Sequence, residues 1–112
     1  MANEPPTGLL FCSKIHTPMM RIKLQEKMPE FDWHLGDSDM YPDYYVAGRR
    51  PDGLKVRIEP EDEPGEFYLG VYFARMAAMP KAEERLAIAR QIHVELLPIV
   101  EGTLKSGGNQ RG

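Results

Sequence analysis

The seven residues Leu54-Lys-Val-Arg-Ile-Glu-Pro60 constrain this chain more than any other stretch. Leu54, Val56 and Ile58 alternate without a fault with Lys55, Arg57 and Glu59. An extended strand, whose side chains point to opposite faces with period two, gathers the first three on one side and the second three on the other. The segment therefore has one apolar and one wet face, and the rest of the domain must cover the apolar one. Pro51-Asp52-Gly53 precedes it. Proline presets one backbone angle of a tight turn and glycine accepts the awkward one, so "YYVAGR", 44–49, is predicted as the strand before. Past the loop "EDEPGE", the segment "FYLGVYFA", 67–74, alternates again. Phe67, Leu69, Val71 and Phe73 share one face; Tyr68, Gly70, Tyr72 and Ala74 share the other. "FDWHL", 31–35, adds a short strand with Phe31, Trp33 and Leu35 opposed to Asp32 and His34.

Two segments have helical spacing. In 17–28, Met20, Leu24 and Met28 fall four apart on one face. Thr17 is a suitable N-cap, Pro18 suits the first turn, and Pro29 stops the helix. Ile22 and Leu24 alternating with Arg21, Lys23 and Gln25 argue for a strand instead, but the helix is the better fit. From 80 to 104, Leu86, Ala89, Ile92, His93, Leu96 and Val100 form a stripe, and Pro98 predicts a kink or an end near Leu97.

The expected fold is therefore α+β with two layers. An antiparallel meander sheet of three to four strands carries an N-terminal helix and a long C-terminal helix on one face. The chain's 112 residues suit one domain, expected over 9–105, with disordered ends at 1–8 and 106–112. A single cysteine, Cys12, excludes a disulfide within the chain and reads as a small buried hydrophobe after "LLF". No apolar run is long enough to span a bilayer, and the N-terminus lacks the pattern of a signal peptide, so a cytoplasmic protein with no membrane partner is expected. Net charge is −3, but the stretch from Glu26 to Glu66 holds twelve acidic against five basic side chains. That acidic middle disfavours general attraction to DNA and suits a basic protein partner. In size and acidity the chain resembles immunity proteins and inhibitors; the resemblance covers no motif.

The most polar stretch, "HLGDSDMYPDYY" (34–45), invites a chemical reading. Gly36-Asp37-Ser38 is similar to the nucleophile block of some esterases, yet nothing brings a base among His16, His34 and His93 to Ser38. Asp37, Asp39 and Asp43 are hard-cation ligands, but a calcium loop counted from Asp37 has Tyr41 and Pro42 where it needs an oxygen donor and glycine. His34 with Asp37 lacks further zinc ligands nearby. The stretch is expected to be a connection, with no metal and no cofactor. His93, within an apolar stripe, is expected to be a satisfied boundary residue.

The wet sheet face is the better candidate. Lys55, Arg57, Tyr68 and Tyr72 lie on it, joined by Tyr45 and Arg49. Tyrosine and arginine are enriched at binding hot spots, and methionines such as Met19, Met20, Met40, Met76 and Met79 add adaptable apolar surface where exposed. The expectation is a non-enzymatic protein-binding domain of inhibitor, immunity, chaperone or adaptor type. Its contacts would be Tyr41, Tyr45, Arg57, Tyr68 and Tyr72, with Glu61, Asp62 and Glu63 steering a partner. The same tyrosines and arginines suit stacking of single-stranded bases, which is the second reading. Open edge strands also admit a homodimer.

Overall fold

The computed structural model describes residues 8–37, 44–73 and 80–104. Its elements are β1 (Gly8–Cys12), α1 (Thr17–Lys27), β2 (Asp32–Gly36), β3 (Tyr45–Arg49), β4 (Leu54–Pro60), β5 (Glu66–Phe73), α2 (Ala82–Ile99) and β6 (Thr103–Leu104). The fold is α+β with an antiparallel sheet, as the alternation requires. The sheet has six strands rather than three to four, in the order β2-β3-β4-β5-β1-β6. The expected meander is β2 to β5. Beyond it, Gly8–Cys12 runs antiparallel to β5, Leu9 facing Leu69 and Phe11 facing Phe67, and β6 closes on Phe11 and Cys12. A strand thus precedes the first helix, and Gly8, expected among the disordered residues, opens it. Cys12 is half-buried rather than buried.

The hairpin between β3 and β4 follows from its turn residues. Gly53 has φ +97, the left-handed region that favours glycine, and its N–H donates to the Arg50 carbonyl at 3.0 Å. Asp52 takes two bonds from the Arg50 guanidinium, at 3.1 and 2.6 Å, and one from the Leu54 N–H at 3.2 Å. The Arg50 hydrogen bond holds the Asp52 carboxyl below its ordinary range. Arg50 also stacks over Phe31, 5.4 Å from the ring centre.

Met20, Leu24 and Met28 of the first helical segment are buried, as their spacing predicted. The cap is corrected: His16 is the N-cap residue and Thr17 the first helical residue, itself buried, with no side-chain cap bond. Met20, Leu24 and Met28 join Ala89, Ile92, Leu96 and Val100 of the second helical stretch in one hydrophobic cluster with Phe11, Trp33, Val46, Val56, Ile58, Leu69 and Val71 of the sheet. His93 is half-buried and engaged. Ser13 ties the layers together: its Oγ donates to the Val100 carbonyl at 2.7 Å and accepts the Ile15 N–H at 3.1 Å.

α2 continues through Pro98 and ends at Ile99, so of the expected kink or end near Leu97 the end is not found. The helix then closes with the Gly102 N–H on the Leu97 carbonyl at 2.8 Å and the Glu101 N–H on the Pro98 carbonyl at 3.2 Å. This paired closure needs a left-handed residue between helix and exit, and Glu101 supplies it at φ 55. A side chain there is strained, and the Lys23–Glu101 ion pair at 3.7 Å is too exposed to compensate. The Glu101→Gly variant is therefore expected to be more stable by about 0.5–1 kcal/mol. A lower urea midpoint than wild type would contradict this account of the cap.

Candidate functional site

The sheet has a second face, opposite the helices. Register places its side chains in three rows. The first holds Arg49, Lys55 and Tyr72, with Asp32 across from Arg49 at the edge. The middle row holds His34, Ala47, Arg57, Gly70 and Gly8, so that small residues flank Arg57 at its centre. The third holds Glu59, Tyr68 and Leu10, with Tyr45 lying opposite Gly36. His34, Arg49, Lys55, Arg57 and Tyr72 are exposed, which is what strand alternation dictates when the odd-numbered side of β4 faces away from the core.

The tyrosines do not stand up from this face. Tyr45 lies across Gly36, Tyr68 across Gly8 and Tyr72 across Gly70, so that a Cβ at any of these glycines would overlap the ring. The glycines supply the close approach that lets the rings pack flat. Arg57 lies 4.0 Å above the Tyr45 ring and pairs with Glu59, Nε to carboxylate, at 2.7 Å. Its guanidinium is thus oriented by a ring on one side and a carboxylate on another. Burial, with Tyr68 and Glu59 nearby, pushes the Tyr72 hydroxyl above its ordinary value, against the lowering influence of Arg57.

Where the middle row is low, the side chains around it frame a groove of about 520 Å³ lined by His34, Ala47, Arg49, Lys55, Arg57 and Tyr72. No ion pair within 4.0 Å joins Arg49 or Lys55 to another described residue. The groove therefore carries a local excess of positive charge. The opposite end is acidic: beyond Glu59 come Glu61, Asp62, Glu63 and Glu66, held in a tight connection by the Glu61 N–H to the Glu66 carbonyl at 2.9 Å and the Glu66 N–H to the Glu63 carbonyl at 3.1 Å. Gly65, at φ +85, makes that connection possible.

Of the expected contact residues, Tyr45, Arg57, Tyr68 and Tyr72 come together on this one face. Glu61, Asp62 and Glu63 sit at its acidic end, past the last residue of β4. Tyr41 lies outside the described residues, as do Ser38, Asp39 and Asp43 of the polar stretch and Met40, Met76 and Met79. Two members of the face were not anticipated. Leu10 joins it because β1 is a strand. His34, weighed only as a base or ligand, lines the groove; the alternation of 31–35 already pointed it away from the core. Among the described residues no group of three or more histidine, cysteine or carboxylate side chains fits a metal ion, and no helix is long and apolar enough to cross a membrane.

Comparison with known proteins gives no relative: no family model matches the chain, and no match is found among curated proteins or among solved structures.

Proposed function

We propose that this chain is a non-enzymatic protein-binding domain whose contact surface is the open sheet face. One observation carries the reading: the face without helices is flat and aromatic, with Arg49 and Lys55 toward one end and Glu59 and the 61–66 connection at the other. Flat aromatic anchors give large buried area at little conformational cost, and segregated charges select and orient a partner. The acidic end is what argues against a polyanion as the preferred occupant, since a nucleic-acid strand crossing the whole face would meet Glu59 and the 61–66 connection. Single-stranded nucleic acid remains the second reading, favoured by the cationic groove beside Tyr72.

Tyr72 is the residue on which to test this. It is 45% exposed and lies over Gly70 of its own strand, whereas Tyr68 shields Gly8 on the neighbouring strand and is half-buried. The Tyr72→Ala variant is expected to keep the wild-type melting temperature within about 2 °C, as surface substitutions do. It is expected to lose at least about tenfold in partner affinity, the scale of a modest hot spot. The measurement is an affinity pull-down from host lysate, with and without nuclease. A near-stoichiometric protein that survives nuclease and is lost with Tyr72→Ala supports the reading. Companions that vanish on nuclease treatment transfer the face to the nucleic-acid reading. Equal retention by folded wild type and Tyr72→Ala removes Tyr72 from the contact.

A further inference from the structure

The charge pattern of the open face is complementary to itself at one reciprocal position, Lys55 against Glu59. Arg49 and Lys55 on one side, and Glu59 with the Glu61–Glu66 connection on the other, flank a middle row in which Ala47, Gly70 and Gly8 are low and Arg57 stands at the centre. Take a twofold axis that lies between two such faces, runs perpendicular to the strands and passes over the middle row. That operation sets β4 of one copy antiparallel over β4 of the other. It lays the row of Arg49 and Lys55 of each copy on the row of the other that holds Glu59: Lys55 over Glu59, Tyr72 over Tyr68, and Arg49 beside Tyr45, whose ring is already covered by its own Arg57. A twofold contact requires this kind of reciprocity, in which residue i meets j and j meets i.

From this self-complementarity we propose that the first occupant of the face is a second copy of the chain, in a face-to-face twofold dimer. The inference rests on the reading that this face binds protein and names the partner.

Three further features fit the occupant. Arg57 lies nearest the axis, where two copies would oppose like charges. Its guanidinium is drawn off the axis, over Tyr45 and onto Glu59 at 2.7 Å, so that Glu59 is shared between its own Arg57 and Lys55 of the second copy. Tyr45, Tyr68 and Tyr72 lie over glycines and do not stand up between two sheets, which stack about 10 Å apart face to face. The groove of about 520 Å³ beside Lys55 and Arg49 faces, under the twofold operation, the Glu59 end of the second copy, so a cationic hollow meets a carboxylate. Five strands of ordinary length offer a flat footprint on the order of 450 Å², and side-chain relief raises the accessible area toward the roughly 600 Å² per partner of the smaller specific interfaces. The dimer is accordingly reversible and weakened by salt, which screens the Lys55–Glu59 pairs at its rim.

The test uses two single variants of the full chain, Lys55→Glu and Glu59→Lys, studied by sedimentation velocity. Wild type is expected to pass from a 12.8 kDa species to one of twice that mass as concentration rises. Each variant alone sets like charges opposite each other and is expected to raise the dimer dissociation constant by at least about tenfold, the scale of one lost close charge pair. In an equal mixture, one chain brings carboxylates at both positions 55 and 59 and the other brings ammonium groups at both. Both 55–59 contacts of that mixed dimer then join opposite charges, while the Glu59→Lys copy lacks the carboxylate beside its Arg57, so the mixture is expected to dimerise again, more weakly than wild type, while neither component does. Circular dichroism confirms that each is folded, and Lys55→Gln or Glu59→Gln, which removes one member of the pair and is likewise expected to weaken the dimer, substitutes for any variant that is not. Wild type that remains monomeric, a mixture that remains monomeric, or a dimer indifferent to both variants overturns the inference. A monomeric wild type that still retains a nuclease-resistant protein through Tyr72 would leave the binding reading standing while this inference falls.

Discussion

Replacing Phe11 by alanine is expected to lower the unfolding free energy by about 3–5 kcal/mol. That is a large share of the roughly 5–15 kcal/mol that holds a domain of this size together. Phe11 is fully buried on β1 and stacks on Phe67, with ring centres 5.5 Å apart. It faces Leu104 across the other edge of the strand, and its ring sits beside the glycine that closes α2. Truncation at this position would open a cavity between the sheet and the end of the helix and loosen the seat of β6. Denaturant titration followed by circular dichroism measures the effect. A loss under about 1 kcal/mol, below the range of large-to-small core changes, would mean that β1 is not part of the cooperative core.

The Trp33→Ala variant is expected to cost a similar amount, about 3–5 kcal/mol. Trp33 is buried on an edge strand and is held at both ends. Its ring N–H donates to the Met28 carbonyl at 2.9 Å, and its backbone N–H donates to the Gln25 side chain at 3.2 Å. The ring lies 5.1 Å from that of Phe31 and presses on Gly48 of β3, where a Cβ would overlap it. Gly48→Ala alone is therefore expected to cost about 1–3 kcal/mol through overpacking. The two losses are not additive. With the indole gone, the added methyl enters vacated space, so the double variant is expected to be more stable than the sum by at least about 1 kcal/mol. Additive losses would show that the indole and Gly48 do not interlock. Trp33 is the chain's only tryptophan, so its fluorescence follows Gly48→Ala directly, and circular dichroism serves the variants that lack it.

These two residues also mark how far the sequence could be followed. Trp33 sits in an alternating segment and its burial was legible there, as were the buried sides of β4 and β5 and the stripe Ala89, Ile92 and Leu96. The reason is local: period two and period 3.6 are written in neighbouring residues. Phe11 was not legible in the same way. "GLLFC" is a short apolar run with no alternation, and its partner β5 lies more than fifty residues away, so its pairing leaves no local trace. β6, only two residues long, carries less signal still. At the candidate site, alternation placed Lys55, Arg57, Tyr68 and Tyr72 on one side. It could not show that the rings lie on glycines, because Tyr68 over Gly8 and Tyr45 over Gly36 depend on cross-strand register. The stacking of Arg57 on Tyr45 depends on it equally.

The strand order has one more consequence. β1 and β6 are neighbours, so the backbone enters and leaves the domain along a single margin of the sheet, far from β2. A short linker could join those two strands into a loop, and the chain could be reopened at the exposed Pro51–Asp52 turn without losing a strand pairing.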